Sequence, residues 1–444
     1  MEEEEKGRPE AIELEADVLA PPAAIAERAV PGGGIFSSFR YHDFSILWSG
    51  AFLSNTGTWI HMSALFWYVK VLTGSDAWVG LVTVANFIPV FFLVLFAGSL
   101  ADVLDRKLLI LVTQVVMMLG ALALGVFTSF GAANLAVIMI ITFIMGTAFT
   151  FNFPAWRAII TDLVPPGNIL NAVALDAAEF NLARFIGPML GGFIVAVFSV
   201  GTAFYVNAVS FTAVICALLL IRTKTPKSPP HPEGTVKHIQ EILVYAWENR
   251  WAFNVLVVLI VVSIFGLPFI ILLPGMARDV LGWGVVGYTL LLGMVGLGAF
   301  AAAPFVTWLN LHYRESEIIK IAALISGLLL AGFSLSRSMP LSAVFSFGLG
   351  ASFLMMSAAI NTVLQSRVER NMRGRIMSLY ILVFQGMLPI GGIVMGILAD
   401  RTSAPFVLLM GGIVCALMAV CLIVFPSFLR DAVSSTGPPH VSRA

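Results

Sequence analysis

The chain alternates between long apolar stretches and short polar breaks. Twelve stretches reach about 20 residues, the length an α-helix needs to cross a bilayer's hydrocarbon: 44–69, 78–101, 107–129, 134–157, 170–198, 201–222, 252–275, 285–309, 316–336, 339–364, 374–399 and 405–426. Strict period-2 alternation is absent, so these read as helices, which satisfy their own backbone hydrogen bonds in lipid, and not as barrel strands. Only Ser199-Val200-Gly201 separates the fifth stretch from the sixth. A turn is expected there, because a single helix of about 50 residues would overshoot the membrane. The pattern predicts an all-α membrane protein with twelve transmembrane helices.

The polar breaks organise the spans. Residues 1–40 begin with Glu2 to Glu5 and continue Pro/Ala/Gly-rich to Gly34. Their apolar content is too low for a core, so a disordered tail is expected, not a cleaved signal peptide. Residues 429–444 form a similar tail. The longest internal break, 223–250, opens with Pro226, Pro229, Pro230 and Pro232. It continues with Val236, Ile239, Leu243 and Ala246 at helical spacing, the pattern of an interfacial amphipathic helix. This linker divides the spans into six and six, giving an N-terminal bundle over 41–222 and a C-terminal bundle over 251–428. About twenty basic residues fall in the tails and in one set of connections, including Arg40, Arg106, Lys107, Arg157, Arg314, Arg373 and Arg375. The other connections carry four: Lys70, Arg278, Arg337 and Arg401. The positive-inside rule then places both termini in the cytoplasm, with the chain in a plasma (inner) membrane. Gly187-Pro188-Met189-Leu190-Gly191-Gly192 in the fifth span is echoed by Pro389-Ile390-Gly391-Gly392 in the eleventh, an internal echo expected of two repeated halves.

Composition agrees with lipid as the main solvent. Hydrophobic residues make up 59% and charged residues 11%, and 25 basic residues balance 25 acidic ones, so nothing points to nucleic acid. Cys216, Cys415 and Cys421 lie in apolar runs without metal-ligand or CxxC spacing, which argues against a disulfide framework or a metal site. A phosphate-cradling GxxxxGK[ST] loop is missing, as is HExxH, so neither ATP nor an enzyme's cofactor is expected.

Charged groups inside the spans carry the functional reading, because each costs about 2.5–3.5 kcal/mol at a bilayer centre unless it meets a cavity or partner. The fifth span holds Asp176, Glu179 and Arg184. At 100° per residue Arg184 shares a face with Phe180, Pro188 and Gly191 while Glu179 points about 140° away, so they are not expected to pair. Arg184 and Glu179 are expected at a central cavity, and Asp176 near an interface. His61 is a coupling candidate, with a hydrogen-bonded packing role preferred. Asn55 and Asn181 supply further polar atoms, and Phe66, Trp67 and Phe149 are candidate cargo-wall residues.

Between the second and third spans stands Gly98-Ser99-Leu100-Ala101-Asp102-Val103-Leu104-Asp105-Arg106-Lys107. Gly98 permits close helix approach. Asp102 is an acid at a helix C-terminus, where the dipole disfavours it, so it needs a cation or another helix's N-terminus. The segment resembles the cytoplasmic-loop signature of the major facilitator superfamily, G-x-L-a-D-r-x-G-R-k, with Val103 and Asp105 departing from it. The resemblance implies a latch in which Asp102 pairs with Arg106, Lys107 and the Arg373-Gly374-Arg375 start of the eleventh helix. Gly187-Pro188-x-x-Gly191-Gly192 resembles the antiporter motif of the superfamily's exporters. Segments such as Ser54-Asn55-Thr56-Gly57-Thr58-Trp59, Pro154-Ala155-Trp156-Arg157 and Ala277-Arg278-Asp279-Val280 are similar to the bacterial branch containing enterobactin-exporter and macrolide-efflux proteins, over about 39–428. Thr142 stands where many proton-driven exporters carry Arg. The resemblance implies a monomeric secondary transporter exporting a small amphipathic or hydrophobic compound, drug or siderophore in class, against protons by alternating access. An importer or uniporter on the same fold and a non-transporting receptor or scaffold are the rival readings.

Overall fold

A computed structural model describes residues 34–223, 249–368 and 373–425. Most of the N-terminal tail, the Pro-rich linker with its amphipathic pattern, and the C-terminal tail lie outside the described residues. Twelve long helices make up the rest: α1 His42–Thr73, α2 Asp76–Val103, α3 Arg106–Ser129, α4 Leu135–Asp162, α5 Ile169–Val197, α6 Val200–Leu220, α7 Arg250–Val280, α8 Gly284–His312, α9 Glu315–Leu335, α10 Met339–Arg367, α11 Arg373–Arg401 and α12 Ala404–Val424. No strand occurs among the described residues.

Local chemistry sets the breaks. Ser75, Asp105, Asn134, Ser199 and Ser403 each cap the helix that follows by accepting from a backbone N–H three residues on, which satisfies a donor the first turn leaves free. Ser199 thus makes the turn expected between the fifth and sixth spans. Asp105, a departure from the family signature, is the cap of α3. Gly74 ends α1 in the left-handed region at φ 68°, a conformation glycine adopts without steric cost.

Eleven of the helices are long and apolar enough to cross a membrane. The exception, α1, runs 32 residues and carries Ser54, Asn55, Thr56, Thr58, His61 and Ser63 in its middle. Thr56, Thr58 and Ser63 donate back to carbonyls of α1 itself, and Asn55 reaches Glu179 of α5. In α7 the structure departs from the plain span expected. The helix extends to Val280 and widens into π-turns at Val262–Gly266 and Met276–Val280, where Leu267 N–H reaches Val262 O and Leu281 N–H reaches Met276 O, each at 2.9 Å. Pro268 lacks an N–H and crowds the Ile264 carbonyl, and widening the turn that contains Ile264 relieves that conflict; the second π-turn follows Pro274 and has no such explanation.

The packing is two six-helix bundles related by a shift of six helices. In the first bundle α1 packs on α5 and α6, α3 on α4 and α6, and α2 on α4; in the second α7 packs on α11 and α12, α9 on α10 and α12, and α8 on α10. The Gly-Gly echo shows the symmetry in detail. A Cβ on Gly191 would press Ser63 and Ile60 of α1, and one on Gly391 would press Ile264 and Pro268 of α7. Gly192 faces the opposite bundle at Thr289 of α8, while a Cβ on Gly392 would meet Ile271 of α7 first and then Gly80 of α2 in the opposite bundle. Lipid offers helices no hydrophobic drive to associate, so such small-residue contacts supply the packing.

A methyl group tests these contacts. Gly298→Ala would drive a Cβ into the Phe347 carbonyl oxygen of α10, so about 1–3 kcal/mol of stability should be lost, read as a lower melting temperature in detergent. Gly98→Ala meets nothing within 4 Å and should leave the melting temperature unchanged.

Candidate functional site

The bundles meet along two seams, α2 with α11 and α5 with α8. The end of the molecule where α1 starts and α12 finishes is called the tail end here, and the opposite one the far end. Cross-seam glycine contacts cluster in the far half. A Cβ on Gly396 would lie 2.7 Å from Asp76 O, one on Gly80 2.5 Å from Gly392 O, and one on Gly386 would overlap the Phe91 ring. On the other seam Gly192 abuts Thr289, Gly293 abuts Met189, and Gly296 abuts the backbone of Arg184 and Phe185. Toward the tail end the seam parts, and Gly98 faces open space. The close approach expected at Gly98 is not seen: no described atom of another helix lies within 4 Å of where its Cβ would stand. The seams are thus tight in their far halves, and the looser tail half between the bundles is called the vestibule here.

Helix α5 locates the vestibule's roof. On its tail half Val173, Ala177 and Phe180 are exposed, the last by 44%. One turn further along the same face comes Arg184, and beyond it Pro188 and Gly191 are buried. Arg184 therefore sits where the gap between the bundles ends. Its guanidinium carbon lies 5.5 Å from the Trp59 ring centroid, within cation–π range, and Phe180 packs edge-on against the same ring at 5.9 Å. The buried Nε of Arg184 has no hydrogen-bond partner.

Glu179 does not open onto this gap as expected. It is 1% exposed and points into the first bundle, where the Asn55 side-chain amide donates to both carboxylate oxygens at 3.1 and 3.0 Å. The reason is its direction on α5, which turns it away from the Arg184 face, and the two charges are not paired. Asp176 is buried near the tail end. It accepts from Trp156 Nε1 at 3.0 Å and Arg157 at 3.1 Å, an α4–α5 tie. His61 is buried against the Phe204 ring at 4.7 Å, and its Nδ1 finds no partner, so its packing lacks the hydrogen bond expected there. Asn181 donates back to Ala177 O within α5 at 2.8 Å. Of the aromatic candidates, Phe66 is buried in the core, Trp67 stacks on Tyr288 across the seam at 6.2 Å, and Phe149 packs on Phe153.

At the tail end Arg106 contacts Asp162 at the end of α4, at 2.7 Å, and Lys107 donates to Ile221 O at 2.9 Å. Asp102 closes the last turn of α2, and Arg373 and Arg375 open α11; their side chains lie outside the described atoms. The antiporter-like residues have clear neighbours: Gly187 and Gly191 press α1, Gly192 presses α8, and Pro188 is buried.

The far end holds a network that the sequence reading passed over. Lys70, 4% exposed at its side chain, lies 3.0 Å from Asp76 and 3.1 Å from Asp279, and Arg278 donates to Lys70 O at 3.2 Å. Asp400, at the end of α11, accepts from the backbone N–H groups of Asp76 at 2.7 Å and Ala77 at 3.2 Å, and from the Ser75 hydroxyl. It therefore binds the N-terminus of α2, the positive end of that helix. The signal was present: Asp400 is an acid at a helix C-terminus, as Asp102 is.

The transmembrane secretion effector family matches residues 33–440. The chain belongs to this family of major facilitator transporters. Among relatives of this transporter, the staphyloferrin A transporter of Staphylococcus aureus is 25% identical, over 79% of this chain and 88% of that protein. The multidrug efflux pump Tap of Mycobacterium tuberculosis is 24% identical, over 85% and 92%. Macrolide efflux protein A of Streptococcus pyogenes is 21% identical, over 85% and 95%. Two solved structures share the fold alone. An inward-facing, unoccupied bacterial homologue of the human lysosomal transporter Spinster is 14% identical with TM-score 0.68, covering 88% of this chain and 97% of that one. The peptide transporter POT with bound sulfate is also 14% identical, with TM-score 0.72 and coverage of 92% and 99%.

The transporter's far-end network should be stabilising only as a set. Lys70→Met leaves the buried Asp76 carboxylate without its cation and should cost about 3–5 kcal/mol in detergent unfolding. Adding Asp76→Asn should recover most of the loss, since no buried charge is then left uncompensated.

Proposed function

We propose that this transporter exports a small amphipathic compound from the cytoplasm by exchange with protons, with the tail end cytoplasmic and the vestibule in its inward-open state. The direction is supported by the two relatives whose names describe efflux. The basic residues gathered at the tail end support the orientation. Alternating access then amounts to parting the far-end seams while the tail-end seam closes, with the cargo released on the opposite side.

One observation carries the proton coupling: Glu179 is buried, held by a single amide and without a paired cation among the described residues. A carboxylate in that setting is costly unless it is neutralised, so its charge can be gained and lost as the bundles rearrange. Asn55 ties it to α1, the helix whose other end reaches Lys70 and the far-end network. Protonation state and seam closure are thereby joined through one rigid rod. Arg184 at the roof keeps the cargo site distinct from the proton site, a separation that antiport by alternate occupancy permits.

In everted membrane vesicles energised by a proton gradient, a panel of amphipathic dyes should show uncoupler-sensitive accumulation of at least one compound. Glu179→Gln should abolish that accumulation while the purified variant still folds and still exchanges the dye down its own gradient. Accumulation unchanged by the substitution would remove Glu179 as the proton carrier.

A further inference from the structure

Arg184, half-buried with its Nε fully covered, stands apart from the buried cations among the described residues. Lys70, Arg106 and Lys320 each lie within 3.1 Å of a carboxylate. Among the described residues no carboxylate pairs with Arg184, its Nε is buried without a hydrogen bond, and Glu179 on the same helix is occupied by Asn55. A guanidinium does not shed its proton to escape burial, and its fork of N–H donors matches a planar oxyanion. Beside it lie an indole and a phenyl ring, Trp59 and Phe180, with Phe180 44% exposed. We propose that Arg184 is the anion-recognition group of the cargo site, and that the cargo is an amphipathic organic acid. Its carboxylate completes the ion pair the protein leaves open, and its apolar body rests on the two rings. The proposal rests on the export reading above, and it sets this transporter apart from pumps for cationic drugs, which the uncompensated guanidinium would repel.

Binding tests this without transport. The purified full chain is titrated with pyrenebutyrate, the neutral pyrenebutanol and a pyrenyl ammonium cation of equal length, read by tryptophan-to-pyrene energy transfer. Pyrenebutyrate should bind roughly ten- to a hundredfold tighter than the alcohol, as expected for a hydrogen-bonded charge pair, and the cation weakest. Arg184→Gln should erase the preference while leaving alcohol affinity in place, and Arg184→Lys should keep part of it. Equal affinities in the wild type, or a preference that survives Arg184→Gln, overturn the proposal. Vesicle accumulation of pyrenebutyrate separates the two readings: a charge preference without uncoupler-sensitive transport overturns export and leaves the anion site standing.

A separate observation concerns how the seams close. The pentapeptide G-x-L-A-D occurs twice, as Gly98-Ser99-Leu100-Ala101-Asp102 and as Gly396-Ile397-Leu398-Ala399-Asp400. Each ends one residue before the close of its helix, α2 at the tail end and α11 at the far end, and these two helices are antiparallel partners across one seam. The far-end copy is engaged: Gly396 abuts Asp76 and Ala77, and Asp400 binds their backbone N–H groups. At the tail-end copy Gly98 faces open space. We infer that the far-end copy is a second latch, reciprocal to the one the family resemblance implies at Asp102: Asp400 holds the far end shut in this state and releases it as the Asp102 end closes on the start of α11.

Spin labels on Ala132→Cys and Thr402→Cys, with the three native cysteines replaced by serine, report the far-end gap between the bundles. Asp400→Asn should shift the distance distribution toward longer values, and Asp102→Asn should shift it toward the closed far end. An unchanged distribution with Asp400→Asn, or a shift of both variants in the same direction, overturns the inference. Ser342→Ala, a packing change inside the second bundle, controls for general loosening and should leave the distances as they are.

Discussion

Close backbone approach at glycine is the contact on which this structure depends. Helices in lipid gain nothing from leaving the solvent, because the surrounding chains are as apolar as they are. What holds them is short-range packing, and that requires the backbones to come near. Gly80 with Gly392 and Gly396 with Ala77 close the α2–α11 seam, while Gly192 with Thr289 and Gly296 with Phe185 close the α5–α8 seam. These contacts occupy the far half of both seams. A joint tight at one end and parted at the other can rock, because each bundle keeps its own internal glycine contacts whatever the seam does.

Charge placement follows the same division. Cations near the helix ends are neutralised locally, Lys70 by Asp76 and Asp279, Arg106 by Asp162, Arg157 by Asp176. Those pairs fix helix ends relative to one another and add no unpaired charge to the interior. Two groups in the middle of α5 break the rule. Among the described residues Arg184 has an aromatic neighbour and no paired anion, and Glu179 an amide and no paired cation. They could have neutralised each other had they shared a face. Their five-residue separation on an α-helix forbids it, and the membrane protein retains two uncompensated groups at a cost that function offsets.

Much of this was legible in the residues. Twelve apolar runs, the turn at Ser199, the six-and-six division and a close-packing Gly187–Gly191 face all follow from length and small-residue spacing; that the face meets α1 does not. The separation of Glu179 from Arg184 followed from helix geometry. Asp400 escaped notice although the argument applied to Asp102 fits it word for word: an acid at a helix C-terminus needs a partner elsewhere. Asp105 was read as a departure from a family signature when its place before an apolar helix marks it as a cap. The π-turns of α7 were hidden because prolines in a membrane helix permit a kink, a break or a widened turn, and neighbours choose among them.

The sequence by itself determined which segments enter the membrane, how they divide and which side of each helix carries its polar groups, since hydropathy, capping and the 3.6-residue repeat are local. Only the tertiary structure decided what those polar groups meet. Asn55 reaches Glu179 from 124 positions away, and Asp400 reaches Asp76 across 324. Whether Gly98 touches a helix or open space depends on how the two bundles are tilted. That tilt is a balance of contacts summed over both seams, and no single stretch of chain encodes it.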